Sequence, residues 1–473
     1  MNRGGLPDDV ARLDEASRHV TQTLAADITN DVVQDIYRRA EVIARSAVRD
    51  ERPGPDPVTS GLDNVLTSKA LGFPVMFLLL AAVFWITLSG ANYPSAVLAS
   101  VLFRGQDALT ALFERLNAPW WLHGVLVLGT YRSLAWVVSV MLPPMAIFFP
   151  CFTLLEDLGY LPRVAFNLDP LFERAGAHGK QALTMSMGFG CNAAGVIACR
   201  IIESPRERLI AILTNNFVPC NGRFPTLIAL SSLCAAWLTG VEPGTSALSG
   251  GAAASLLVTG LVTAGIAATL AVSWLLARTI LRGEATSFTM ELPPYRLPQV
   301  GRVLVASILD RTVFVLARAV TVAAPAGAVV WVLANLNVGG ASVMARMGGW
   351  LDPLGRAVGL DGLILLAFIL GLPANEIVIP VLLMSYTGAG TMVKVEDVGA
   401  LGAILKANGW TWATAACAML FSLMHFPCGT TLLTIHKETG DLKWTALAAL
   451  IPTAAGLLAC FAASSLLRVV IPS

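Results

Sequence analysis

Seven residues could do chemistry together: Cys191, Asn192, Cys220, Asn375, Glu376, His425 and Cys428. Each lies near a Gly or Pro that interrupts an otherwise apolar run. Their donors are thiolate, amide oxygen, carboxylate and imidazole. That mixture suits a borderline divalent transition ion such as Fe²⁺, Co²⁺ or Zn²⁺ better than Mg²⁺ or Ca²⁺. The spacings match no compact zinc motif. Each residue also has a plainer reading. A membrane Cys is a small apolar filler, a lone His is a packed group, and an Asn at a helix break is a cap. Cys199, Cys234, Cys417 and Cys460 read as packing. Glu376 is the sharpest signal. A carboxylate at mid-membrane costs about 3 kcal/mol, so it faces a pathway or pairs with a buried cation, for which Arg318 is the candidate.

The positions of these residues repeat. Leu168-Asp169-Pro170-Leu171, Gly176, Gly179, Leu183, Gly188 and Asn192 align without a gap on Leu351-Asp352-Pro353-Leu354, Gly359, Gly362, Leu366, Gly371 and Asn375. Pro219-Cys220 and Pro427-Cys428 pair further along, so the second copy is longer. Paired interrupted helices in corresponding halves point to a transporter's binding site.

The elements that must position these residues are membrane helices. Hydrophobic residues make up 55% of the chain, charged residues 13%, and the net charge is +1. Nothing in this balance suits a nucleic-acid partner. The eight Cys form no disulfide framework. Expected spans are 70–90, 133–155, 208–238 (broken at Pro219), 250–279, 313–335, 410–435 (broken at Pro427) and 444–468, with 100–121 as an interfacial helix ending in Trp120-Trp121. Basic residues flank segment 181–202 on both sides (Arg174 and Lys180, then Arg206 and Arg208), so both ends read as cytoplasmic. Its halves are each about 15 Å of helix, half a bilayer, as in a re-entrant hairpin. Segment 362–386 is the counterpart. The fold class is thus all-α and polytopic: about seven full spans and two re-entrant hairpins in inverted repeats, nine crossings if the hairpins traverse.

Four regions are expected. Residues 1–60 form a cytoplasmic helical region and linker, 61–132 the first span and interfacial helix, 133–312 the first gate repeat and 313–473 the second. No P-loop, G-x-S-x-G or HExxH string is present, so no enzyme is expected.

Several longer strings carry a resemblance. They are Glu156-Asp157-Leu158-Gly159-Tyr160, Gly188-Phe189-Gly190-Cys191-Asn192, Glu203-Ser204-Pro205-Arg206-Glu207-Arg208, MELPPYRLP at 290–298, GLPANEIVIP at 371–380, HFPC at 425–428 and HKETGDLKW at 436–444. Over residues 30–468 the chain resembles the membrane domain of the FeoB ferrous iron transporter family. Its hairpin motifs look like gate modules shared with nucleoside-transporter-like proteins. The resemblance implies movement of Fe²⁺, as substrate, across a prokaryotic inner membrane into the cytoplasm. It also implies that Cys191, with Cys220 and Cys428, lines the iron path. Where the family commonly places Pro after Cys-Asn, this chain has Ala193-Ala194. Family members usually carry an N-terminal GTP-binding domain, and no GTP site is found in this sequence. The expectation is a GTP-binding protein in trans docked on residues 1–60, a shortened chain, or a variant that works without it. The lipid bilayer is the other expected partner, and a homo-oligomer stays open. Two other readings are a carrier of a nucleoside-like solute and a non-transporting scaffold for a GTPase.

Overall fold

The computed structural model describes residues 32, 34–44, 46–47, 57–68, 70–240, 249–283, 295–393, 395 and 397–470. The chain divides into two compact units, Met1–Asn64 with Thr286–Glu291, and Val65–Ala285 with Leu292–Ser473. In the first, the described residues between 32 and 47 are helical and exposed, with Arg39 and Asp35 paired at 3.2 Å. Residues 1–31, 33, 45 and 48–56 of the expected docking region lie outside the described residues.

The second unit is a helical membrane domain. Among the described residues, six helices are long and apolar enough to cross a bilayer, or seven if one bent pair counts as a span. Three are mostly exposed along their apolar stretch: Ala253–Arg278 at 11% buried, Gly72–Arg115 at 19% and Leu442–Leu467 at 22%. Apolar helices with so little protein cover are suited to lipid. Trp412–Thr439 is 67% buried and is therefore central.

One expectation changes. The span at 70–90 and the interfacial helix at 100–121 form one 44-residue helix, Gly72–Arg115, which runs through Pro94. A neighbouring packed helix, Arg132–Asp157, meets it on both sides of Pro94, at Gly90 against Ile147 and at Phe103 against Trp136, and lone prolines are tolerated in such settings. Trp120-Trp121 instead open the next long helix, Trp120–Asp157. Segment 208–238 is interrupted around Pro219, where the break was expected. Pro205–Thr214 and Phe224–Thr239 are separated by a 3₁₀ turn at Asn215–Phe217 and an irregular stretch around Pro219. The first begins on a side-chain cap: Ser204 Oγ accepts from the Glu207 N–H at 3.5 Å, with Pro205 at the first helical position.

The sequence repeat becomes a structural one. Gln181–Gly190 and Asn192–Ala198 form the first hairpin. Gly362–Leu370 and Val378–Thr387 form the second, with a 3₁₀ turn at Asn375–Ile377 between its arms. Each is preceded by the Leu-Asp-Pro helix, Tyr160–Arg174 or Val343–Ala357. In both copies the Asp side chain tethers the same glycine. The Gly179 N–H donates to Asp169 Oδ1 at 2.8 Å, and the Gly362 N–H donates to Asp352 Oδ1 at 3.2 Å. Gly176 and Gly359 take the same left-handed turn, φ 69° and 77°, which only glycine adopts cheaply.

A methyl at Gly362 would run into the Gly348 carbonyl and the Asp352 backbone, neither of which can swing away. Gly362→Ala is expected to destabilise the domain by about 1–3 kcal/mol. Gly349→Ala, on the adjoining helix with open space around it, is the control. Thermal unfolding of the two purified variants checks this, and equal melting would refute the steric account.

Candidate functional site

Cys191 and Ala374 interrupt the two hairpins with nearly the same backbone geometry, φ −155° and ψ 124° against φ −155° and ψ 123°. In the first hairpin the extended residue directly follows the half-helix; in the second a turn at 371–373 comes between Leu370 and Ala374. The following residues, Asn192 and Asn375, each open the second half-helix. They sit one position past the N-cap, so their side chains are free of the capping role. Gly190 permits the tight turn: a side chain there would occupy the Phe148 ring.

The second pair of breaks closes against these tips. In each half, the residue after Pro-Cys donates its N–H to a carbonyl at the hairpin tip. Asn221 donates to Gly190 O at 3.3 Å, and Gly429 donates to Leu372 O at 2.6 Å. Four interruptions thus meet, two from each repeat, and irregular backbone at this depth is satisfied by protein.

They enclose a small cavity, about 20 Å³, with room for roughly one water-sized body. Cys191, Asn192, Cys220, Asn375, Glu376 and Cys428 all line it, with Met141 and Met145 among the other walls. Six of the seven sequence candidates therefore come together. Glu376 rests against Gly222, and among the described residues no cation pairs with it. Arg318 donates instead to Thr434 Oγ1 at 2.9 Å and lies over the Phe314 ring. Asn375 Nδ2 reaches Cys220 Sγ at 3.9 Å, and Cys428 Sγ contacts Thr431 Oγ1 at 3.2 Å. Among the described residues, no three His, Cys, Asp or Glu side chains converge tightly enough to hold an ion as a closed set.

His425 is the seventh candidate, and it stands behind the wall. Its Nδ1 lies 2.9 Å from Ser422 O and 3.2 Å from Phe421 O, while Nε2 meets Asn375 Oδ1 at 3.2 Å. Phe368, Phe421 and Phe426 surround the ring. All three neighbours are oxygens and a neutral imidazole carries one N–H, so the ring donates on one side only and otherwise packs behind the Asn375 amide.

Arg223 was not among the sequence candidates. It is 1% exposed and inserts between the halves. Its Nη1 donates to Asn216 O and Leu423 O, both at 2.9 Å. Its Nη2 donates to Asn216 Oδ1 at 3.1 Å and to His425 O and Phe426 O at 3.2 Å. The guanidinium fork caps the carbonyls freed by both broken helices. An arginine inside an apolar run is the signal that could have exposed it.

This architecture defines a polytopic helical membrane protein of the paired-hairpin gate type. The Gate family, described as "Nucleoside recognition", matches residues 138–233 and 316–442, which hold all seven candidates. The family "Ferrous iron transport protein B C terminus" matches 258–310 between them. The Fe(2+) transporter FeoB of Staphylococcus aureus (strain MSSA476) is 28% identical over 83% of this chain and 57% of its own length. That of Synechocystis sp. is 29% identical over 87% and 64%, and that of Methanocaldococcus jannaschii 26% over 87% and 59%. No solved structure matches. The chain is thus similar to FeoB transporters over most of its length, through the part of it that the Gate and FeoB C-terminal families match. It spans less than two thirds of the length of these relatives.

Proposed function

We propose that this chain carries ferrous iron across the cytoplasmic membrane of a prokaryote, through the cavity between the two hairpins. The observation that supports this most is the shared wall of Cys191, Cys220 and Cys428 with Asn192, Asn375 and Glu376. Thiol, amide and carboxylate can replace part of the hydration shell of a borderline ion. Because the donors do not close into a rigid set, the ion is held weakly enough to leave, as conduction requires. The two repeats lie oppositely oriented in the bilayer and expose the cavity to one side and then the other. His425 and Arg223 position this wall without touching the ion. A GTP-binding domain, in this polypeptide's full length or on a partner, would gate the movement and stay clear of the cavity.

Three FeoB relatives carry the name Fe(2+) transporter, in line with this reading. A nucleoside-like solute fits poorly. Such pockets are about 300 Å³ or larger and offer aromatic stacking. This cavity is about 20 Å³ and, among the described residues, no aromatic ring lines it.

Iron uptake into proteoliposomes tests the proposal. A variant combining Cys191→Ser, Cys220→Ser, Cys428→Ser and Glu376→Gln is expected to transport on the order of tenfold more slowly or worse, comparable to losing metal ligation. Uptake equal to wild type by the folded variant would sink the proposal, and inhibition by excess nucleoside would favour the organic solute.

A further inference from the structure

Two helices leave the cavity side by side. Asn192–Ala198 begins at the first hairpin tip and Gly429–Thr439 begins just after Cys428, and Asn192 and Cys428 both line the cavity. The helices belong to opposite repeats and pack along each other. Val196 and Ile435 are each 1% exposed in a shared apolar cluster, which keeps water out of the seam. From Cys428 to Glu438 the second helix rises about 15 Å.

At that far end the seam closes on an ion pair. Arg200 lies in the 3₁₀ turn Cys199–Ile201, which continues the first helix. Its Nε donates to Glu438 Oε2 at 2.8 Å and its Nη2 to Glu438 Oε1 at 2.7 Å. This is the bidentate match of guanidinium to carboxylate. The Glu438 side chain is 11% exposed and that of Arg200 65%, so water reaches the pair from one side. Arg206, Arg208 and Lys437 mark this face as cytoplasmic.

A polar stripe joins the cavity to the pair. Thr430, Thr434 and Glu438 follow one another at single-turn spacing on one side of their helix. Thr430 lines the cavity, and Thr434 donates to Thr430 O at 2.8 Å. The opposite face is built differently. Extending the two repeat alignments, Arg200 falls on Leu383 and Glu438 on Leu230. Both leucines are 1% exposed in one apolar cluster. An apolar seal parts only by exposing its surface, whereas an ion pair at the water's edge exchanges its partner for water at little cost.

We propose that Arg200 and Glu438 latch the cytoplasmic end of this seam, and that their parting opens the cavity to the cytoplasm along the Thr430–Thr434 stripe. A pair this cheap to break suits a closure that must open in every cycle. The inference rests on the cavity being the carrier's site. Its test uses no iron, so its failure would leave that reading standing.

Inside-out membrane vesicles holding the full chain are treated with a membrane-impermeant cationic methanethiosulfonate. Peptide mass spectrometry then follows modification of Cys428 from the cytoplasmic face. A cavity of about 20 Å³ has no room for the reagent while the seam is shut, so the rate reads opening. Arg200→Ala and Glu438→Gln should each label about fivefold faster than wild type. Reversing the pair, with Arg200→Glu and Glu438→Arg together, should restore the slow rate. Glu203→Gln breaks the 3.2 Å pair with Lys180, which joins residues flanking the first hairpin, and should leave the rate unchanged. Should Arg200→Ala fail to fold, Glu438→Gln and the reversed pair decide the matter, since both keep long polar side chains in place. The latch is refuted if the folded single variants label like wild type, if the reversed pair stays as fast as they are, or if Glu203→Gln accelerates labelling equally.

Discussion

Arg223→Leu is expected to lower stability by at least about 3 kcal/mol, the largest effect of any single substitution in the membrane domain. The guanidinium donates to the carbonyls of Asn216, Leu423, His425 and Phe426 and to the Asn216 side chain. Leucine fills similar space and leaves those oxygens buried with no donor. Each abandoned buried acceptor costs about 1–3 kcal/mol, and relaxation of the loops recovers some of the total. The damage should also be shared, because Asn216 precedes the break of the first repeat while Leu423, His425 and Phe426 belong to that of the second. Arg223→Lys is expected to recover only part of the loss, since one ammonium cannot span a fork of this width. Thermal unfolding in detergent reads both variants. A leucine variant melting within about 2 °C of wild type would show that the two breaks hold themselves in place.

Gly222→Ala is expected to do the opposite, sparing the fold and damaging transport. The added methyl would occupy the position of the Glu376 carboxylate. That carboxylate ends a flexible side chain, so it can move aside while the backbone stays. Glu376 lines the cavity and the displacement takes its charge off the proposed path. Iron uptake should fall on the order of tenfold to a hundredfold, as when a metal ligand loses its support. The melting temperature should stay within about 2 °C of wild type. Normal uptake by a normally folded Gly222→Ala protein would remove Glu376 from the path. Loss of folding in this variant would show that the close approach of Gly222 and Glu376 is structural.

Much of the site could be read before any coordinates existed, because its signals are local. A proline or glycine breaks a helix wherever it stands, and a carboxylate in an apolar run is costly wherever it points. So Cys191, Asn192, Cys220, Asn375, Glu376 and Cys428 were legible as residues at breaks, and the aligned Leu-Asp-Pro strings made the two hairpins legible as copies. The matched turns at Gly176 and Gly359 follow from that same alignment. Helix boundaries were less legible. Hydropathy marks the lipid-facing window but does not register that Arg132–Asp157 supports the long helix Gly72–Arg115 on both sides of Pro94.

What the string of residues could never specify is which polar groups spend themselves on one another. His425 and Cys428 share a break, yet one is turned inward onto Asn375 while the other faces the cavity. Glu376 and Arg318 are of opposite charge, yet Arg318 is engaged by Thr434 and Glu376 is left to the cavity. Asn216 and Arg223 gained their importance only when the second repeat brought Leu423, His425 and Phe426 within hydrogen-bond range. Composition and periodicity act through neighbours along the chain. The pairing of buried donors with buried acceptors is settled between segments some two hundred residues apart, and only packing in three dimensions fixes it.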